Sequence, residues 1–482
     1  MNMRIRSRVA LTEPLSTLKV TERLPPLMVL LVACLAAACV PLPSRDDAAV
    51  SIPASWDLPV PGSADVWPAS DWWHGFASPE LDTLITTARQ NNLDLSAAAA
   101  RLIQAQGQAR IAGVSLLPTL DGSIGTSRTG IAVSNRSEST SFNASLSASY
   151  ELDFWGANRA DVLAAQAALR SSRYDRETVA LTVTTGVANT YLQVLSLRER
   201  IATARQNLEI AERVLNIVQA RVRGGAATRL DLAQQLGTVA GQRAAIPPLE
   251  QQERDAQTAL AILLGRLPQG FSVQGASLDV IRIPAVAPGL PSDLLMRRPD
   301  LRRAESQLDA ADANVAGARA ALFPSVRLTA GSGVQSSVFS TLFDESPGFS
   351  LGVSLARTLF DSGRLGAQRN VAEARRVEII QAYRTTVISA FADVDKALGS
   401  VDSITQQQEQ QSIQLEQARI ALDVAEIRYR AGAVDLLTLL DAQRTLYSAQ
   451  DQSRQLKLSR LQAVVTLFRV MGGGWQDSAS PL

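Results

Sequence analysis

From Ser141 to Phe154 apolar and polar residues alternate without a break. Phe142, Ala144, Leu146, Ala148, Tyr150, Leu152 and Phe154 share one parity; Ser141, Asn143, Ser145, Ser147, Ser149, Glu151 and Asp153 share the other. A period of two marks a strand with one apolar and one polar face. The run exceeds the roughly nine to eleven residues that a tilted strand needs to cross a bilayer. Two settings fit it. In a sandwich the apolar row packs on a partner sheet; in an outer-membrane barrel it faces lipid and the polar row lines a wet lumen. The strand alone favours the sandwich, because the barrel signal is weak per segment; the rest of the chain reverses that.

The chain is written twice from Leu84 onward. Leu93-Asp94-Leu95 returns as Pro299-Asp300-Leu301, and Leu117-Pro118-Thr119 as Phe323-Pro324-Ser325. Arg223-Gly224-Gly225-Ala226 returns as Arg430-Ala431-Gly432-Ala433, and Leu263-Leu264-Gly265 as Val470-Met471-Gly472. The spacing is far longer than a solenoid repeat, so this is a tandem duplication. Each copy predicts the same parts. A helix (about 79–116, then about 292–322) stops at Pro118 or Pro324, because proline breaks helical hydrogen bonding. Two strands follow, at 119–128 and 141–154 in the first copy and 325–334 and 349–358 in the second. Their joining loops are rich in Ser and Gly.

Two long helices come next. Val187, Val194, Ile201, Leu208, Leu215 and Val222 recur every seven residues, as do Val387, Val394, Val401, Gln408, Leu415, Leu422 and Tyr429. Such spacing keeps one seam against a neighbouring helix in a coiled-coil manner. The segment 159–222 predicts a rod of about 95 Å at a rise of about 1.5 Å per residue. Gly225 and Gly432 end the rods, as glycine commonly does. Thr228 and Asp435 then stand at matching N-cap positions, opening return helices over about 229–264 and 436–471. Each copy therefore forms a helical hairpin whose tip lies far from its strands.

Composition narrows the function. The 482 residues carry a net charge of +1, which gives no reason to invoke nucleic acid. His74 is the only histidine, and no thiol, histidine pair or phosphate-binding glycine loop after a strand suggests catalysis or a cofactor. Both cysteines precede the repeats. A basic segment with Arg4, Arg6, Arg8, Lys19 and Arg23 leads into an apolar run from Leu27 to Ala38, which reads as a secretory signal. Leu35-Ala36-Ala37-Ala38-Cys39 resembles a lipoprotein processing site, which makes Cys39 the acylated residue. Cys34 offers a second such site but leaves an apolar run near the lower limit. These boundaries divide the chain into a signal peptide (1–38), an anchored N-terminal arm (39–78), repeat 1 (79–265), a linker (266–291), repeat 2 (292–472) and a tail (473–482).

No other segment offers about eighteen consecutive apolar residues, so a membrane crossing falls to the strands. Four strands do not close a barrel, and open edges in lipid leave N–H and C=O groups unpaired. Closure requires further copies, giving eight strands from two chains or twelve from three, of which only the larger leaves an unfilled lumen comfortably.

The residues also resemble the TolC-type outer-membrane efflux channels, in their NodT-like lipoprotein branch. The resemblance rests on Asp71-Trp72-Trp73-His74-Gly75-Phe76, Pro79-Glu80-Leu81 and Asn92-Leu93-Asp94-Leu95. Pro288-Gly289-Leu290-Pro291-Ser292-Asp293-Leu294-Leu295, Arg297-Arg298-Pro299-Asp300-Leu301 and Ala318-Arg319-Ala320 with Phe323-Pro324 add to it. Leu437-Thr438-Leu439-Leu440-Asp441-Ala442-Gln443-Arg444 and Gly472-Gly473-Gly474-Trp475 complete it. The resemblance implies a mixed α and β fold: a duplicated protomer forming a trimeric twelve-stranded outer-membrane β-barrel continued by a periplasmic α-helical barrel. It implies a homotrimer that docks to a periplasmic adaptor and an inner-membrane pump of the resistance-nodulation-division class. It also implies a periplasmic gate, with Leu437 as an apolar constriction, Asp441 as a carboxylate ring and Arg444 as its ion-pair partner. A solvated helix pair is the plainer account of Asp441 and Arg444. Near the first tip, Arg229 and Asp231 are candidates for adaptor contact. The function that follows is a passive, non-enzymatic exit duct for small molecules. A type I secretion duct for a protein and a non-conducting envelope scaffold are the competing readings.

Overall fold

The computed structural model describes residues 48–56, 67–130, 138–284, 291–344 and 346–476. Cys34, Cys39 and the last six residues lie outside the described residues. The first copy comprises α1 (Pro79–Asn91), α2 (Leu93–Val114), β1 (Thr119–Gly130), β2 (Glu138–Leu152), α3 (Ala157–Arg223) and α4 (Arg229–Leu263). The second comprises α5 (Leu294–Arg297), α6 (Pro299–Ala320), β3 (Ser325–Ser336), β4 (Gly348–Ala356), α7 (Arg364–Arg430) and α8 (Leu436–Val470). The duplication extends to length: α2 and α6 each have 22 residues, α3 and α7 have 67, and α4 and α8 have 35. At about 1.5 Å per residue, α3 and α7 are rods of about 100 Å.

The four strands form one antiparallel sheet in the order β1-β2-β3-β4. The central pairing joins the two copies, from Phe142 opposite Ser336 to Leu152 opposite Val326. The strands end where pairing ends. β2 begins at Glu138, opposite Gly130, and stops at Leu152 rather than Phe154. Beyond it, the Phe154 N–H turns back onto the Leu152 carbonyl at 2.9 Å. β4 stops at Ala356 rather than at residue 358, because its partner Ser325 directly follows Pro324, which has no N–H to give.

The first helix of each copy is not the single rod expected from its pattern. Asn92 is extended (φ −62°, ψ 132°) and divides α1 from α2. Its side-chain oxygen accepts from Leu95 N at 3.0 Å, and its amide donates to Leu263 O at 2.8 Å. In the second copy Arg298 is extended ahead of Pro299, as a residue before proline prefers. The buried Arg298 guanidinium is held by Asp300 at 2.7 Å and by the carbonyl of Val470 at 3.1 Å.

The short helices lie along the rods in a regular order. On the sheet side α2, α3, α6 and α7 are successive neighbours; on the tip side the order is α4, α3, α8 and α7. α3 and α8 are thus interior in the tip half, while α4 and α7 are its edges. The heptad column is buried at Val187, Val194 and Ile201. Toward the tip Leu208, Leu215 and Val222 are half-buried, and Asn207, Ala211, Val214 and Val218 form the closed row instead. A helix near 3.6 residues per turn drifts off a strict seven-residue repeat in this way.

The middle of the rods carries the densest core. Trp72, Phe76, Leu192 and Val465 are buried there, and Trp72 stacks on Phe468 with centroids 4.8 Å apart. His74 is exposed, with Nδ1 2.8 Å from Asp82 Oδ1, a surface role. The segment after α4 is pinned to α3. Arg198 donates to the carbonyls of Val273 (2.8 Å) and Gly275 (2.5 Å), and buried Glu199 accepts from Leu278 N at 2.6 Å.

The repeated helix ends share one close backbone approach. Gly265 (φ +67°) and Gly472 (φ +88°) follow α4 and α8, and a Cβ on either would overlap a carbonyl oxygen, of Asn91 or Arg297 respectively. Gly265→Ala and Gly472→Ala are each expected to destabilise the fold by about 2 kcal/mol or more, through left-handed strain plus the overlap. Thermal unfolding in detergent checks this; an unchanged midpoint for both would mean the approach relaxes freely.

Candidate functional site

Residues directly opposite each other in an antiparallel sheet share a face, so the register sorts the side chains of all four strands together. Leu120, Ile124, Leu146, Ala148, Leu328, Leu351 and Val353 fall on one face. Ser123, Ser145, Ser149, Thr329, Gly331 and Ser350 fall on the other. The apolar face is uncovered: Phe349 is 84% and Leu351 80% exposed. The polar face knits itself through hydroxyl contacts, Ser123 to Ser145 at 2.8 Å and Thr119 to Ser149 at 2.9 Å. An exposed apolar surface of this extent on a sheet fits a hydrocarbon environment. Among the described residues no helix is long and apolar enough to cross a membrane.

At the far end, Asp435 caps α8 by accepting from Thr438 N (2.9 Å) and Thr438 Oγ1 (2.7 Å). These hydrogen bonds hold its carboxyl below the usual carboxylate range. The cap fixes the first turn and with it Leu437, which is 59% exposed. Asp441 and Arg444 follow at spacings of four and three, so the three side chains lie on one stripe of α8. The structure brings Asp441 and Arg444 together, with Arg444 Nη2 3.0 Å from Asp441 Oδ1 and both side chains mostly exposed. An exposed pair of this kind contributes only about 0.3 kcal/mol, so its value to the fold is slight. The stripe borders a groove whose other wall is α4, at Thr238, Gly241 and Gln242.

At the first tip Asp231 is occupied locally. Its Oδ2 accepts from Thr228 N at 2.7 Å while Thr228 Oγ1 accepts from Asp231 N at 3.2 Å, a reciprocal capping box. Arg229 is exposed beside it.

The pattern of the sequence alone did not disclose what joins the two tips. Arg221, near the end of α3, donates to the Tyr429 carbonyl of α7 and lies 4.6 Å above the Tyr429 ring. Arg213 reaches the buried Glu426 of α7 at 3.3 Å. Burial pushes the Tyr429 and Tyr447 hydroxyls above their ordinary ionisation range. Two arginines in equivalent frames, Arg221 and Arg428, look alike in sequence, and only the packing of the rods separates their roles. Among the described residues no cluster of three or more His, Cys, Asp or Glu could hold a metal ion.

A duplicated chain with a four-stranded sheet, an uncovered apolar face and rods of about 100 Å has the build of a tunnel-forming channel protomer. The model of the outer membrane efflux protein family matches residues 84–266 and 290–473, one match per copy, and the chain belongs to that family. It is 46% identical over 461 residues to the pyoverdine export outer membrane protein OpmQ of Pseudomonas putida, covering 94% of this chain and 97% of that one. It is 32% identical to the probable outer membrane lipoprotein SilC of Salmonella typhimurium, over 84% of this chain and 88% of that one. The open-state crystal structure of the Neisseria gonorrhoeae outer membrane channel MtrE aligns with a TM-score of 0.83 at 30% identity, covering 91% of this chain and 99% of that one. The fold is that of the trimeric outer-membrane channels of this family, and the protein is an outer-membrane efflux channel.

The cap gives a local test. Asp435→Ala is expected to fray the first turn of α8 and speed amide exchange at Thr438, with Asp231 and the first tip unaffected. Acidification should act the same way. A carboxyl with a depressed pKa lends its support above its unfolded-state value and loses it as pH falls through the folded one. Equal protection at Thr438 in both proteins would contradict the capping role.

Proposed function

We propose that three copies of this chain form a passive exit duct for small molecules, shut at its periplasmic end by Leu437, Asp441 and Arg444. The observation that carries the assembly is the sheet's two open edges. β1 and β4 each have one paired side, and their other N–H and C=O rows need partners in lipid. Three chains supply twelve strands, enough for an open lumen lined by the polar face. One helical edge favours the same closure. α7 exposes Ile413, Ile420 and Ile427 at seven-residue intervals, an apolar column of the kind that takes a neighbouring helix.

Threefold symmetry around such a ring puts three Asp441 carboxylates about one axis, a device that attracts cations and narrows a pore. Arg444 beside each one offsets the mutual repulsion of those carboxylates. Energy comes from elsewhere: the duct joins a periplasmic adaptor and an inner-membrane pump of the resistance-nodulation-division class. Acylation of Cys39 anchors the N-terminal arm in the outer membrane, a reading supported by the lipoprotein name of SilC. The OpmQ likeness makes a pyoverdine-type siderophore the first cargo to test. A wall of Ser, Asn, Gln and acidic residues carries little chemical selectivity, so the choice of cargo falls to the pump.

Native mass of the detergent-purified protein is expected to correspond to three chains; a clean monomer would remove the basis for the duct. In planar bilayers Asp441→Ala is expected to raise closed-state conductance by severalfold, since the carboxylate ring and its arginines no longer hold the aperture. Unchanged conductance would sink the gate assignment. In cells, deletion should leave siderophore trapped in the periplasm; a trapped protein instead would point to a type I secretion duct.

A further inference from the structure

The duplication assigns a partner to Leu437. α4 and α8 have the same length, start after equivalent N-caps and are related residue by residue across the two copies. Leu230 therefore occupies the position of Leu437, Gln234 that of Asp441, and Gly237 that of Arg444. The carboxylate and the guanidinium do not recur, but the leucine does. Both leucines are the second residue of their helix and both stand in solvent, Leu230 65% and Leu437 59% exposed. Neither is used by the packing of its own chain. Capping holds each first turn in place, by Thr228 and Asp231 in one copy and by Asp435 in the other. Leu437 lines the groove between α8 and α4, so in a ring of near-equivalent hairpins Leu230 faces the corresponding groove on the other side of α4, toward the next copy.

We infer that Leu230 is a second constriction residue of the same aperture. This rests on the gate reading proposed above and deepens it. Three chains then place six leucines around the axis, Leu230 alternating with Leu437, in a pseudo-sixfold apolar ring. One turn further in, the ring of three carboxylates alternates with three neutral Gln234 amides. An apolar constriction obstructs ions by excluding water, whatever their sign, while the carboxylates act on cations. The two layers thus act together: both narrow the closed aperture, the leucine ring against ions of either sign, while the carboxylate ring alone adds an ionic preference.

The test compares Leu230→Ser, Leu437→Ser and Leu230→Met in the full-length trimer reconstituted in planar bilayers. Leu230 is exposed, so its replacement leaves the core intact, and native mass and thermal midpoint verify this. Both serine variants are expected to raise closed-state conductance roughly threefold or more, with the ratio of cation to anion permeability unchanged. Leu230→Met, which keeps the apolar bulk, should stay at the level of the unaltered channel. If Leu437→Ser leaks and Leu230→Ser does not, Leu230 lies outside the aperture, and the inference fails while the gate stands. If neither leaks, the gate reading itself is overturned. A Leu230→Ser channel that conducts normally but no longer binds its periplasmic adaptor would place the leucine on a docking surface, against the inference.

Discussion

Hydrogen bonds that one chain leaves unmade organise this protein. β1 and β4 are each paired on one side only, and a free strand edge in hydrocarbon costs several kcal/mol for each unpaired polar group. No rearrangement within the chain removes both edges. The β2–β3 pairing already uses the inner sides of the two copies, and four strands are too few to curve round and pair β4 with β1. The demand for closure passes down the rods. A sheet rolled with two other sheets sets its helices in a ring, and that ring needs edges that accept a neighbour. The exposed isoleucines on α7 are what such an edge requires.

Duplication supplies the ring economically. A closed tube of twelve strands needs near-equivalent units, and two copies per chain halve the number of chains. Conservation of helix length between copies is strict because the rods must end together at both the sheet and the tips. The tolerance lies at the strands, where β2 has 15 residues and β4 has nine. A loop outside the rods can change length without moving either end of the shaft. Equal rods have a second consequence. Any feature at one tip has a counterpart at the other, so a difference between them, such as Asp441 against Gln234, reflects a distinction between the copies rather than an accident of register.

Periodicity made most of this legible before any coordinates. Strand parity, the seven-residue column, Pro118 and Pro324, and Gly225 and Gly432 are local signals, and each acts through neighbours within a turn or two. What stayed hidden depends on distant partners. The break at Asn92 is held by a bond to Leu263 O, 171 residues away, and neither residue announces it. The end of β4 at Ala356 follows from the proline ahead of β3, and the end of β2 at Leu152 from the backbone turn at Phe154, not from the alternation, which runs on to Phe154. Within the candidate gate, the stripe of Leu437, Asp441 and Arg444 was legible because helical spacing alone places it. The lock of Arg221 on Tyr429 was not, because it crosses between rods that meet only after folding.

The distribution of satisfied and unsatisfied groups bears on how the shaft is held together. Near its middle, buried charges are fully engaged: Glu199 accepts from Leu278 and faces Arg454, and Arg198 is held by Glu253 and two carbonyls. Around the tip, among the described residues, several buried polar atoms have no hydrogen-bond partner. They include both side-chain polar atoms of Gln443, the Tyr429 and Tyr447 hydroxyls and the Gln235 oxygen. Each such atom costs about 1–3 kcal/mol. Gln443 lies between Asp441 and Arg444 but points the opposite way, into the packing that holds α8 in place. Unpartnered atoms occur nearer the middle as well, at Asn189 and Ser196, so the tip is set apart by where such atoms fall rather than by their presence. Tyr429 stands where Arg221 of α3 reaches α7, and its hydroxyl adds nothing to that contact. The two copies are therefore held together at the tip through Arg221 and Arg213, by charge and ring contact rather than by the tyrosine hydroxyls.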